Sequence, residues 1–255
     1  MKPTLVCLIA AVNCAHAEWK PAGNSTTRET HPGAAYTTRT FALGGSDREI
    51  ELHTVVFNSK HYTLRVVDSP KQYGTNLGRA MTDGGFVAGV NGGYFTPEFK
   101  PLGLLVIDGT LHNPVVQTKL LSGVLAITSD RIHVLRNREF KLGPKTREAL
   151  QAGPFLMDDS RATPGLNNVK RAARTFIATD GKTDFALGVM YSPTLAEAGE
   201  LLATPDAVPG LTIRRALNFD GGRSTGFWVR AEPNPTYNSE ISSVRNFVGL
   251  VRRSE

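Results

Sequence analysis

The sequence predicts an α+β fold: a single domain with a mixed β-sheet core, few helices, and its active site at strand-to-loop corners. Three observations lead there. Short runs rich in Val, Ile, Leu, Phe and Thr recur from Glu49 to the C-terminus, separated by Asn, Asp, Gly and Ser turn signals. One segment carries a complete helix signature. No internal repeat and no composition shift divides the chain after Glu49.

Residues 1–17 read as a secretory signal peptide. Lys2 gives the charged start, Leu5 to Val12 the apolar stretch, and Ala15-His16-Ala17 the small-residue cleavage site. The apolar stretch is too short for a membrane span, which needs about 20 residues. Both cysteines, Cys7 and Cys14, fall inside this leader. The exported chain, periplasmic or secreted, is thus expected to rely on its core and not on disulfides. Residues 18–48 hold few apolar side chains and many Ser, Thr, Gly and Pro, which predicts an irregular lead-in.

Residues 49–255 form the expected catalytic-type domain. Ile50–Phe57 and Tyr62–Val67 read as an opening hairpin around Asn58-Ser-Lys60. A short helix is expected near Leu77–Met81. Phe86–Val90 runs apolar into Asn91-Gly92-Gly93-Tyr94-Phe95. Pro101–Ile107 follows as a strand closed by the turn Asp108-Gly109. Gly123–Ile127 and Arg131–Leu135 form a further hairpin. Thr146–Gln151 reads as a short helix or turn leading into Gly153-Pro154-Phe155. Arg161 to Arg174 is basic and irregular. Arg174–Ala178 and Phe185–Met190 pair through Asp180-Gly181. In Ser192–Leu202, Ser192 is the expected N-cap, Pro193 the first helical residue, and Leu195, Ala198, Leu201 and Leu202 share a face. Phe247–Val251 closes the chain as a strand.

The formal net charge of +6 suits anionic surroundings such as phosphate-bearing polymers. The basic residues are dispersed, without the runs that mark a nucleic-acid partner, and nothing suggests stable membrane insertion. The histidines show no metal-ligand spacing, and no G-x-S-x-G elbow or phosphate-binding P-loop occurs. Three corners remain: Asn91-Gly92-Gly93, Gly153-Pro154, and Asn218-Phe-Asp220-Gly221-Gly222-Arg223-Ser224-Thr225. If their loops share one sheet edge, they line one cleft. The glycines let a substrate approach the backbone. Arg174 and Arg223 can fork onto phosphate oxygens, Asp220 can act as acid, base or cation ligand, and Asn91, Ser224 and Thr225 can hydrogen-bond. Asp220 with neighbouring carbonyls is a possible site for Ca²⁺ or Mg²⁺, although no dedicated ligand cluster is present. Each corner also fits an ordinary turn, and Tyr94 and Trp228 can stack on a sugar ring, although core or rim packing accounts for each.

Taken in order, the runs Gly89–Phe95, Pro101-Leu-Gly-Leu104, Gln151–Leu156, Arg174-Thr, the helix from Thr194 and Ala216–Gly222 with Ser224 resemble the phosphodiester glycosidase family over about Gly85–Val251. The resemblance implies hydrolysis of a sugar-1-phosphodiester, with a sugar-phosphate or glycan as substrate. Asn91, Gly153, Arg174, Asp220, Gly221, Gly222 and Ser224 fall on the family's active-site positions. A phosphate leaving group needs little acid assistance, so Arg174 is expected on the phosphate, Asp220 as base, nucleophile or cation ligand, and Asn91 and Ser224 as positioning groups. The chain departs from the family's usual Asp-Gly-Gly-Gly-Ser-Ser at Arg223 and Thr225. Arg223 therefore raises two alternatives, a binder of phosphorylated glycans or a second phosphate contact. Cleavage of the phosphorus–oxygen bond is a third.

Overall fold

The computed structural model describes residues 18–253, so the leader lies outside it. The architecture is mostly β: three sheets with only two α-helices among the described residues. This corrects the α+β expectation, and every strand pairing described is antiparallel, where a mixed sheet was expected.

The eight-stranded sheet runs, edge to edge, Trp19–His31, Ala34–Leu43, Glu49–Asn58, Asp184–Met190, Arg174–Thr179, Arg215–Asn218, Phe155–Asp158 and Arg161–Ala162. A five-stranded sheet orders Thr110–Asn113, Leu105–Ile107, Thr146–Ala152, Gly123–Thr128 and Ile132–Arg136. The other orders Thr236–Asn238, Phe227–Val229, Ala88–Asn91, Asn246–Arg252 and Tyr62–Asp68.

Side-chain alternation explains how the sheets pack. In Arg174–Thr179, Ile177 joins the central core while Phe176 and Ala178 face a second core on the other side. Leu187 and Val189 divide from Ala186 and Met190 in the same way, as does Leu217 from Ala216. The central core takes Leu125 and Leu150 from one small sheet and Val90, Phe227 and Val248 from the other. All three sheets thus share one interior. Helix α1 (Leu77–Asp83) packs Leu77 and Met81 against Trp228 and Phe247. Helix α2 (Leu195–Leu202) packs Ala198, Leu201 and Leu202 on the outer face of the large sheet.

Four local expectations are corrected. Residues 18–48 are not irregular: Trp19–His31 and Ala34–Leu43 form a long hairpin turned at Gly33, where φ is +79°. Its outer strand is almost wholly exposed, so no apolar alternation marks it, and β-branched threonines carry the extended conformation. The strands around Asn58–Lys60 exist but do not pair. Glu49–Asn58 joins Ala34–Leu43 and Asp184–Met190, while Tyr62–Asp68 joins Asn246–Arg252. The chain turns a corner there, and Phe57 and Tyr62 meet across it with ring centroids 6.4 Å apart. Thr146–Ala152 is a central strand and not a helix, because both of its faces are buried and it pairs on both sides. The cap of α2 is Thr194, two residues later than expected. Its hydroxyl accepts from Glu197 N–H at 3.1 Å and Glu197 accepts from Thr194 N–H at 2.8 Å, a reciprocal capping box.

That central strand also buries Glu148. Arg65 Nε donates to its carboxylate at 2.7 Å, and Asp108 N–H donates at 3.3 Å. Burial nevertheless holds the Glu148 pKa above the ordinary carboxylate value. The folded state therefore binds this proton more tightly than the unfolded chain. Its contribution to stability is fully present below the ordinary carboxylate pKa and is lost as pH rises through the folded one. Removing Arg65 strands the charge. Arg65→Ala is expected to cost about 2 kcal/mol at neutral pH, with the difference from wild type shrinking as pH falls through the raised Glu148 pKa and closed by the ordinary carboxylate value. Urea midpoints of both proteins from pH 4 to 8 measure this.

Candidate active site

Two of the three corners meet at one buried side chain, and the third joins them through Tyr94 and Asn218. Asn91, 1% exposed, ends the Ala88–Asn91 strand. Its Nδ2 donates to the Asp220 carbonyl at 2.8 Å. Its Oδ1 accepts from the Thr175 hydroxyl at 2.6 Å and from Gly226 N–H at 3.1 Å. Asp220 N–H in turn donates to the Gly92 carbonyl at 3.0 Å, and Phe219 N–H to the Thr175 carbonyl at 2.8 Å. Asn91 is thus committed to holding three segments together, and its amide serves the protein before any substrate.

Asn246 and Gly92 complete this corner. Asn246 Oδ1 accepts from Gly93 N–H at 2.8 Å, and its carbonyl accepts from Gly92 N–H at 2.9 Å. A Cβ on Gly92 would stand 2.0 Å from Asn246 Oδ1, so this glycine is required by the neighbouring side chain. Gly93 packs likewise against Leu150 and the Gln151 carbonyl. The Gly153 carbonyl accepts from the Tyr94 hydroxyl at 2.8 Å and from Asn218 Nδ2 at 3.1 Å, and Asn218 Nδ2 also reaches the Tyr94 oxygen at 3.0 Å.

Asp220 sits in the middle of this frame. Gly221 N–H donates to its carboxylate at 2.8 Å, and the nearby Ser224 hydroxyl favours its ionised form. Burial outweighs both effects and raises its pKa above the ordinary aspartate value. Tyr94 lies close enough to feel both charges of the site. Burial first, then Asp220, push its phenol up, so it stays a protonated donor across the working pH range. Gly222, with φ +63°, opens the single turn of 3₁₀ helix, Gly222–Ser224, that brings Ser224 back to Asp220.

Arg174 opens its strand and is buried at 9% exposure. Its Nη2 donates to the Lys170 carbonyl at 2.7 Å and its Nε to the Pro193 carbonyl at 3.4 Å. Its stem runs beside Gly221, where a Cβ would come 3.8 Å from Arg174 Cδ. Among the described residues, neither Arg174 nor Arg223 is ion-paired to a carboxylate. A buried guanidinium held by carbonyls keeps its full charge for an anion.

Of the residues singled out in the sequence, Asn91, Gly92, Gly93, Gly153, Asp220, Gly221, Gly222 and Ser224 therefore belong to one connected frame, and Arg174 packs its stem beside it at Gly221 while its guanidinium is held by the Lys170 and Pro193 carbonyls. Thr225 is buried beside the frame. Arg223 is exposed and turned to an adjoining groove. Tyr94, Thr175, Asn218 and Asn246 were not chosen in advance. Their signal is a polar side chain at or just beyond the end of an apolar strand, where burial obliges it to find partners. Three buried atoms here have no hydrogen-bond partner within the protein: Asn218 Oδ1, Thr225 Oγ1 and Asn246 Nδ2. Such groups are what a polar ligand would satisfy. For a cation the frame offers a single carboxylate. Among the described residues no cluster of three or more His, Cys, Asp or Glu occurs, so Ca²⁺ or Mg²⁺ would depend on carbonyl and hydroxyl oxygens.

A family model described as phosphodiester glycosidase matches residues 84–251, and the chain belongs to that family. Three solved structures share the fold. A hypothetical protein from Synechocystis superposes with a TM-score of 0.62 at 16% identity, covering 91% of this chain. This chain spans 64% of the Synechocystis chain. The catalytic domain of zebrafish N-acetylglucosamine-1-phosphodiester α-N-acetylglucosaminidase, auto-inhibited by its pro-peptide, gives 0.61 at 14% identity, covering 91% of this chain and 88% of its own. A Burkholderia pseudomallei protein classed as exported gives 0.59 at 12% identity, covering 97% of this chain and 100% of its own. A search of curated proteins returns no match.

The geometry separates framing from chemistry. Asn91→Ala leaves a carbonyl, a hydroxyl and an N–H without their partner, and is expected to cost about 2–4 kcal/mol. Activity and stability should fall together in that variant. Asp220→Asn, which keeps shape and removes charge, should leave the unfolding midpoint within about 1 kcal/mol of wild type. Paired urea titrations and turnover assays of the two variants check the distinction.

Proposed function

We propose that this protein is an exported hydrolase that cleaves the glycosidic bond of a sugar-1-phosphodiester, releasing the sugar and leaving a phosphomonoester. The observation that carries the reading is the charge inventory of the frame. Among the described residues, Asp220 is the only carboxylate in the hydrogen-bonded cluster that holds the protonated Tyr94, and Arg174 packs beside that cluster at Gly221, close enough for its charge to act on Tyr94. Glycosidases acting on ordinary sugar ethers need two carboxylates, one of them an acid for a strongly basic leaving oxygen. A phosphodiester leaves as a weak base and needs charge stabilisation in place of a proton. One carboxylate and one guanidinium without a carboxylate partner suit that demand.

In this reading Arg174 binds the phosphate and steadies the charge that develops as the anomeric bond breaks. Asp220 acts ionised, facing the anomeric carbon as nucleophile or as base for water. Ser224 and Gly221 N–H keep its charge in place. Membership of the family and the fold shared with the zebrafish enzyme support the substrate class. The leader read in residues 1–17 and the exported Burkholderia neighbour support export.

The test is release of sugar from a panel of sugar-1-phosphodiesters. Asp220→Asn is expected to lower kcat/KM by at least about 10³-fold and Arg174→Ala by about 10²–10³-fold. Equal turnover by wild type and both variants sinks the assignment. Hydrolysis in ¹⁸O-water should place the label in the sugar, and label in the phosphate would point instead to phosphorus–oxygen cleavage. The pH profile adds a signed prediction. Because Asp220 works ionised and its pKa is raised, the acid limb of kcat/KM should lie above about 3.9, the ordinary aspartate value. Ser224 stabilises the ionised form, so Ser224→Ala should move that limb to still higher pH.

A further inference from the structure

Beside the Asp220 frame lies a groove of about 740 Å³, lined among others by Tyr73, Arg79, Phe95, Arg223, Glu240 and Ile241. Two dipeptides tie it to the frame. Tyr94 bonds to the Gly153 carbonyl within the cluster while Phe95, the next residue, lines the groove. Ser224 acts on the Asp220 carboxylate while Arg223, the preceding residue, lines the groove. One wall therefore serves both spaces.

The groove's charges are unbalanced. Its lining sets two guanidinium groups, Arg79 and Arg223, against one carboxylate, Glu240, whose oxygens accept from Leu77 N–H at 2.8 Å and from the Tyr237 hydroxyl at 3.1 Å. Arg223 has no carboxylate partner among the described residues, and Arg79 has only the exposed Asp83 at 3.4 Å. The backbone of Arg223 is pinned, since its carbonyl accepts from Ile241 N–H at 2.8 Å and Ser242 N–H at 3.0 Å. Its side chain consequently projects from a fixed base. Two large apolar residues among the lining are unusually bare: Tyr73 is 85% exposed and Ile241 70%. Tyr73 also holds φ +64°, a region that side-chain-bearing residues seldom occupy. An exposed ring on a left-handed turn offers a flat stacking surface.

We infer that this groove is a second subsite, which takes an acidic saccharide unit next to the scissile phosphodiester. An oxyanion, phosphate or carboxylate, pairs with Arg223 and Arg79, and the pyranose ring lies on Tyr73. The substrate is then a repeatedly anionic glycan and not an isolated sugar phosphodiester. The inference rests on the proposed function for its place in a reaction, but the subsite itself can be tested apart from it.

Three diesters of N-acetylglucosamine 1-phosphate serve as probes, with the aglycone being glucose, glucuronate or glucose carrying a second phosphate. The ratio of kcat/KM on each acidic aglycone to that on glucose should fall about 10- to 100-fold in both Arg223→Gly and Arg223→Gln. The glucuronate and phosphate arms show which oxyanion is preferred. Tyr73→Ala should raise KM for the acidic diesters with kcat retained. An unchanged ratio in both Arg223 variants overturns the subsite. A second arm needs no turnover: calorimetry of tetragalacturonate and maltotetraose, neither of which holds a phosphodiester. Binding of the acidic tetramer alone, lost in Arg223→Gln, upholds the subsite even where no diester is cleaved. The proposed reaction then falls by itself. Absence of any acidic preference in binding overturns the subsite whatever the protein hydrolyses.

Discussion

The Asn91 side chain is the interaction on which the rest of the site depends. An amide presents a donor and an acceptor on one rigid plane, and here both are spent on groups from separate segments of the chain. Thr175 belongs to the large sheet, Asn91 to the Ala88–Asn91 strand of a small sheet, and Asp220 and Gly226 to the loop that links the two. No apolar contact could fix these three at one point with angular definition. In a buried setting each lost bond would leave a desolvated group behind, so the arrangement has few alternatives of similar energy.

What this buys is preorganisation around Asp220. The far end of the Arg215–Asn218 strand is held as firmly. Arg215 places two guanidinium nitrogens on Glu139, at 2.6 and 2.9 Å, and its Nε on Asp158 at 2.9 Å, while Arg136 also reaches Asp158. That network joins the large sheet to the Ile132–Arg136 strand and holds the Glu139 carboxyl down at about 2. The strand leading to Asp220 is thus clamped at its start by charge and at its end by Asn91. A carboxylate raised in pKa by burial can keep one orientation only when its backbone has no freedom to relax.

How much of this was readable in advance follows from the range of each signal. Local signals were sufficient for the Asp108-Gly109 and Asp180-Gly181 hairpins, for the Gly123–Thr128 and Ile132–Arg136 pair, and for the existence of α2. The paired glycines after Asn91 and Asp220 marked the corners because close backbone approach leaves that trace. Their cause was less legible, since Gly92 yields to Asn246, which lies 154 positions further along the chain. Strand partners around Asn58–Lys60 depend on contacts distant in sequence, and a short turn does not specify them. Tyr94 read as packing because a lone aromatic beyond an apolar strand carries no mark of its hydroxyl's partners. Only its oxygen, among the Gly153 carbonyl and Asn218, shows its place in the frame. The lead-in strands lacked a pattern because an edge hairpin with one exposed strand has no alternation to display.

A site assembled from three sheets has a further consequence for how substitutions sort. Residues of the frame, such as Asn91, Asn246 and Gly92, each serve backbone groups on more than one segment, so changes there couple stability to chemistry. Arg223 stands outside that coupling. It follows the Asp220-Gly-Gly turn, yet its side chain is exposed, and the backbone bonds that pin it come from Ile241 and Ser242, not from the frame. Position 223 can therefore carry glycine or arginine without disturbing Asn91 or Asp220, and the family's usual glycine there is compatible with the same frame. Under the proposed function, such a position is free to set what lies beside the scissile bond while the frame sets how that bond is held.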